Sequence, residues 1–127
     1  MRYGYFEDWE LASKDRKPSP YGPMNVQKAL LDLLNDLRAA YGKPLVVNSA
    51  YRSPEHNKAV GGVPNSYHTQ GLAADIRPLV AHVADLRVLR DICNKVNANG
   101  GVGLYDTFVH VDARGYRARW DKRSRQV

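Results

Sequence analysis

Two histidines and one aspartate carry most of the chemistry that this 127-residue sequence can offer. His68 and Asp75 stand in Ser66-Tyr67-His68-Thr69-Gln70-Gly71-Leu72-Ala73-Ala74-Asp75, where a glycine turn leads into a run of small residues. A turn of that kind can aim both side chains at one point. His110 stands in Phe108-Val109-His110-Val111-Asp112, where strand alternation puts Phe108, His110 and Asp112 on one face and the two valines on the other. Two imidazoles and one carboxylate form a ligand set typical of catalytic zinc, which keeps a fourth position open for water. Taken singly, each has a plainer reading: His68 as a loop histidine, Asp75 as a turn cap, His110 as a satisfied core residue. Cys93 is the single cysteine and lies in an apolar helical pattern. It can form no intrachain disulfide, and a Cys-based zinc knuckle is excluded.

The elements that must position these residues follow from periodicity. From Asn25, a candidate N-cap, the residues Val26, Ala29, Leu30, Leu33, Leu34 and Leu37 fall at helical spacing until Gly42, which suits the left-handed residue after a helix. Leu45 to Ala50 is a β-rich run behind Pro44, and residues 53–66 form a loop dense in Pro, Gly, Asn and Ser. Loops of that length are usually functional or disordered. Gly71 to Ile76 reads as a second strand. Val83 to Val96 reads as a second helix, on Val83, Leu86, Leu89, Ile92, Cys93 and Val96, and ends at Asn99-Gly100-Gly101. Val102 to Tyr105 and Phe108 to Asp112 read as two short strands. This order predicts an α+β domain, a small antiparallel sheet flanked by two main helices. Residues 1–23, with Pro18, Pro20 and Pro23, read as an irregular N-terminal arm packed on through Tyr3, Tyr5, Phe6 and Trp9. Residues 24–127 form the domain proper, including a basic tail.

Lys and Arg number 19 against 13 Asp and Glu, a net charge of +6 that favours an anionic partner: nucleic acid, lipid headgroups or an acidic wall polymer. The most basic stretch carries Arg114, Arg117, Arg119, Lys122, Arg123 and Arg125 against Asp121. Tyr116 and Trp120 alternate with these arginines, a pattern that single-stranded nucleic acid could use. Docking of the tail on the domain edge, or on anionic wall polymer, is the favoured reading, so no specific nucleic-acid partner is expected. Glu7, Asp8 and Glu10 fall where a signal peptide would need an apolar run, and no window approaches the roughly 18 apolar residues of a membrane span. The expectation is a monomer with no export route of its own.

Residues 49 to 75 run Ser49-Ala50-Tyr51-Arg52-Ser53-Pro54-Glu55-His56-Asn57, through Gly61-Gly62, to Ser66-x-His68-x-x-Gly71-x-Ala73-x-Asp75, with His110-Val111-Asp112 downstream. This pattern resembles the zinc D-alanyl-D-alanine carboxypeptidase and murein endopeptidase family, whose metal fold is shared with the amino-terminal domain of hedgehog proteins. The resemblance covers roughly residues 25–120. It implies a hedgehog/D-Ala-D-Ala peptidase-like fold, a peptidoglycan peptide as substrate and zinc as cofactor. His68, Asp75 and His110 become the metal ligands, and Arg52 the cation that binds the substrate carbonyl or carboxylate and steadies the oxyanion. Ser66 would orient the metal-binding loop beside the substrate, and His56, near Arg52, would line the cleft.

One position departs from the family pattern. Many members place Glu or Asp three residues before the final histidine ligand, and here that residue is Thr107. Asp106 and Asp112 are the nearest carboxylates and are the candidates for general base, Asp112 also as a hydrogen-bond partner of His110. His82 reads as a surface residue. The alternative function is a zinc-containing domain that binds wall peptides without cutting them. A wall enzyme lacking a leader reaches its substrate by a separate pore, by lysis or as part of a phage particle, so a phage-type lysin acting at the bacterial cell wall is the expected setting.

Overall fold

The computed structural model describes residues 1–80 and 82–124; Arg125 and the Val83 side chain lie outside the described residues. In chain order the elements are a small hairpin of β1 (Arg2–Tyr3) and β2 (Phe6–Glu7), a 3-10 turn, α1 (Lys28–Tyr41), β3 (Leu45–Ser49) and α2 (Pro54–Ala59). There follow β4 (Ala73–Pro78), α3 (Val83–Val96), β5 (Gly101–Leu104), β6 (Val109–Asp112) and β7 (Ala118–Asp121). The two main helices are where periodicity put them. Leu30, Leu31, Leu33, Leu34 and Leu37 of α1 are buried, and Leu86, Leu89 and Cys93 of α3 meet them across the helix pair. Helix α1 ends at Gly42, which adopts φ +76° and donates its N–H to the Arg38 carbonyl. Burial pushes the Cys93 thiol up to about 12, so it carries no thiolate chemistry at neutral pH.

Asn25 does not cap α1; Gln27 stands at its start. Asn25 adopts φ +71°, whereas an N-cap is normally extended, and its side-chain amide instead donates to the Asp8 carbonyl at 2.9 Å. Helix α2 falls in the stretch read from sequence as a structureless loop. Ser53 accepts the His56 N–H at 3.1 Å, and Pro54 occupies the first turn, where a missing N–H costs nothing.

The five-stranded sheet has the order β3-β4-β6-β5-β7. The expectation of a purely antiparallel sheet is corrected at one edge, because β7, from the basic tail, pairs parallel to β5. Arg119 explains much of that docking. Its Nη1 donates to the carbonyls of Gly100 (2.6 Å) and Ala118 (2.9 Å), and its Nη2 to those of Asn94 (3.3 Å) and Asn97 (2.9 Å), at the C-terminal end of α3. Arg123 pairs with Asp121 at 2.6 Å. Two of the cations that suggested a nucleic-acid surface are thus engaged inside the fold.

The N-terminal segment is ordered and enters the core. Phe6 and Leu11 are fully buried and Tyr3 packs against them, while Tyr5 and Trp9 are exposed. The Leu11 carbonyl accepts the Tyr51 N–H at 3.2 Å, and Ser13 Oγ accepts the Ser53 N–H at 3.0 Å. These contacts brace the backbone on both sides of Arg52. Asp15 completes the brace by accepting the hydroxyls of Ser53 and Ser13, and those hydrogen bonds lower its carboxyl to about 2. A depressed folded pKa adds stability above the ordinary carboxylate range, and that stability is lost as pH falls through the folded value. Asp15→Asn should therefore melt below the parent at neutral pH, and the gap should close between pH 4 and about 2; thermal melts across that window check it.

Candidate metal centre

Strand register builds the site. Ser49, Asp75, His110, Gly103 and Trp120 lie side by side across β3, β4, β6, β5 and β7, and Ala73, Asp112, Gly101 and Ala118 form the neighbouring row. Val109 and Val111 point to the opposite face and are fully buried in the core. The two glycines of β5 make room for what crosses them. A Cβ at Gly103 would fall 2.2 Å from Trp120 Nε1, so the absent side chain is what lets the indole lie over the sheet with its centroid 5.2 Å from that of His110. A Cβ at Gly101 would fall 2.3 Å from Asp112 Oδ2, and the Gly101 N–H donates to Asp112 Oδ1 at 3.1 Å.

Both histidine rings are fixed from behind. His68 Nδ1 lies 2.7 Å from the Ala50 carbonyl, an acceptor only, so Nδ1 carries the proton and Nε2 faces Asp75 Oδ1 at 3.4 Å. His110 is fixed in the reverse sense: Nε2 lies 2.8 Å from Asp112 Oδ2, and Nδ1 lies 3.0 Å from Asp75 Oδ1. The donor atoms of His68, Asp75 and His110 all lie within 4.8 Å of one another. Tetrahedral zinc with bonds of about 2.0–2.1 Å asks for donor separations of about 3.3 Å, and the observed 3.0 and 3.4 Å fit that spacing.

Three electron-rich atoms meeting in a buried place call for a cation. Burial alone would raise the Asp75 carboxyl, but the imidazoles of His110 and His68 beside it outweigh that and hold the group well below the usual carboxylate range. Burial would lower His110, yet the hydrogen bonds and charges of Asp112 and Asp75 outweigh it and raise the group. His68, Asp75 and His110 are therefore the residues that could hold a metal.

Arg52 donates from Nε to Ser49 Oγ (3.1 Å), from Nη1 to Asn57 Oδ1 (3.3 Å) and from Nη2 to Asp75 Oδ2 (3.3 Å). It thereby fixes Asp75 with Oδ1 toward the histidines. Its backbone N–H donates to the His68 carbonyl at 3.1 Å, tying its loop to the metal-binding turn. Ser66 is buried, and its hydroxyl accepts the His68 N–H at 3.1 Å. A cleft of 480 Å³ opens over the site, and its lining includes Arg52, Ser66, the segment from Val60 to Val63, Tyr105, Phe108, Trp120 and Arg114.

Three residues expected at the reaction centre are not brought to the cleft. His56 sits half-buried on α2 and is not among the lining residues. Asp106 is exposed on the β5–β6 turn and accepts the Ser124 N–H at 3.0 Å, outside the cleft. Asp112 is fully buried on the far side of His110, its oxygens taken by Gly101, Arg114 and the ring itself. It is placed to orient His110, with no path to a water in the cleft. His82 is exposed at the start of α3. Sequence reasoning missed Trp120, Tyr105, Tyr67 and Asn57 as parts of the site. The alternating glycines at 101 and 103 were the available signal that something large crosses β5.

A buried and a half-buried histidine with one carboxylate, on the open face of an α+β sheet, form a candidate metal site. The chain belongs to the Peptidase M15 family, whose model matches residues 6–112. The fold is that of the D-Ala-D-Ala carboxypeptidase and hedgehog-like group which the sequence resembles. No curated protein matches the chain.

Proposed function

We propose that the protein hydrolyses amide bonds in peptidoglycan peptides with zinc held by His68, Asp75 and His110. The observation that supports this most is the opposed fixing of the two imidazoles, which leaves His68 Nε2 and His110 Nδ1 turned toward the same oxygen of Asp75. A bound zinc ion would supply Lewis acidity to the scissile carbonyl and to water. Three N–H groups of Arg52 are already engaged, so two of the five on a guanidinium remain to meet the carbonyl oxygen as it gains charge. Tyr105, Phe108 and Trp120 also line the cleft, and Tyr105 stacks on Phe108 at 4.5 Å. Among the described residues lining the cleft, Asp75 is the carboxylate. As a ligand it would take no proton, so the proton released by the attacking water would pass through solvent to the leaving amine.

That arrangement also supports a second reading, a domain that binds wall peptides without turnover. Mass spectrometry of fragments released from purified peptidoglycan separates the two. The expected result is release of peptide or D-alanine, abolished by EDTA and restored by zinc. A wall left intact by protein with stoichiometric zinc would sink the hydrolase reading and leave the binder. For setting we propose the bacterial cell wall, reached as a phage-type lysin. No helix among the described residues is long and apolar enough to cross a membrane.

A further inference from the structure

Arg114 lies just past β6 and lines the cleft. Its Nε donates to Asp112 Oδ1 and its Nη2 to Asp112 Oδ2, both at 2.8 Å, and its backbone N–H reaches Oδ1 at 3.3 Å. That pairing engages two of the five N–H groups of a guanidinium. The two on Nη1 and the second on Nη2 form the end-on fork that matches a carboxylate.

The side chain is held in advance of any ligand. The rings of Tyr67, Trp120 and Tyr116 lie 4.7, 5.2 and 5.5 Å from its central carbon, and it is 16% exposed. A fork fixed this way loses little rotamer freedom on binding. The Tyr116 hydroxyl stands beside the guanidinium and 3.4 Å from that of Tyr67, so one of the pair donates to the other and the second O–H is left at the same place. The charge balance of the cleft agrees. Its lining residues include Arg52, Arg114 and Asp75, and Asp75 already accepts from Arg52.

We propose that Arg114 is a specificity-determining residue that binds a carboxylate of the wall peptide, joined to the candidate ligand His110 through Asp112 as Arg52 is joined directly to Asp75. The identity of the ligand rests on the peptidase reading above. Asp112 joins Arg114 directly to His110, so the bound carboxylate lies within about three residues of the scissile bond in a chain extended at about 3.3 Å per residue. Two carboxylates of wall peptides are in reach: that of the terminal D-alanine, and the α-carboxylate of γ-linked D-glutamate.

Calorimetric titration of the EDTA-treated protein tests this without turnover. The ligands are a synthetic L-Ala-γ-D-Glu-L-Lys-D-Ala-D-Ala peptide, its C-terminal carboxamide, and its counterpart with D-isoglutamine. One of the two amidations should weaken binding by at least about ten-fold, as loss of a charge-assisted pair does, and the arm that loses names the carboxylate. Arg114→Gln should erase the difference. Arg114→Lys retains an ion pair with Asp112 while lacking the fork, so it should reduce the difference and serves if the glutamine variant does not fold. Amides that bind within two-fold of the acid, a difference that persists in both variants, or no binding of any peptide would each overturn the proposal. Hydrolysis is assayed separately with zinc. A protein that discriminates acid from amide but cuts nothing loses the peptidase reading alone; one that cuts without discriminating loses this proposal alone.

Discussion

His68→Ala should remove zinc binding at stoichiometric concentrations and abolish release of fragments from peptidoglycan. The residue offers Nε2 to the site, and its backbone is tied at both ends, the N–H to Ser66 Oγ and the carbonyl to the Arg52 N–H. The substitution therefore deletes one donor while leaving the turn in place. Loss of a residue that merely supports a ligand costs about 10–100-fold in metal affinity. Deleting a ligand should exceed the top of that range, which competition with a chromophoric chelator resolves. A folded His68→Ala protein that held zinc as tightly as its parent would remove the basis for placing metal between these residues.

Asp112→Ala should act on stability and on metal affinity together. Asp112 is fully buried and paired through both oxygens with Arg114, whose side chain is 16% exposed, and it accepts the Gly101 N–H. Breaking a buried ion pair from one side costs about 3–5 kcal/mol, chiefly because the surviving charge is stranded. Its second loss is the hydrogen bond that keeps His110 Nδ1 turned toward Asp75, for which a 10–100-fold fall in zinc affinity is expected. Denaturant melts in EDTA read the first effect, and zinc titration of the folded fraction reads the second. Asp112→Asn, which keeps the shape, should lie between. The Asp112 carboxyl is held below the ordinary range against its burial, by hydrogen bonds from Arg114 and then His110. The difference between parent and Asp112→Asn should thus be full above about pH 4 and shrink as acid protonates the carboxylate. A Asp112→Ala protein as stable as its parent would mean that the pair contributes little.

Much of this architecture was written in periodicity. The leucine spacing of α1, the Gly42 terminus and the full extent of α3 needed only helical repeats. The alternation of Val109, His110 and Val111 fixed which way the histidine faced. Other parts depended on tertiary contact. Helix α2 is six residues long, too short for a hydrophobic repeat, and its sign was the Ser53-Pro54 pair alone. Strand β7, Ala118 to Asp121, has no apolar alternation because it is an edge held by the arginine fork of Arg119. The choice between Asp106 and Asp112 as base was out of reach of spacing. What separates them is that one side chain turns to Ser124 and the other is sealed behind an imidazole. Arg114 read as one cation in a charged tail, although the carboxylate that claims it, Asp112, stands only two residues before it.

The cross-sheet row of Ser49, Asp75, His110, Gly103 and Trp120 has a consequence for how the chain could err. Strand pairing has a period of two, so a slip of one residue in β6 would present Val109 or Val111 to the cleft and drive His110 into the apolar interior. Metal donors and core valines occupy opposite sides of the same four residues. A mispaired chain therefore spoils both at once. Zinc, by capturing only the correct alignment, would act as a proofreader of the sheet as well as a reagent.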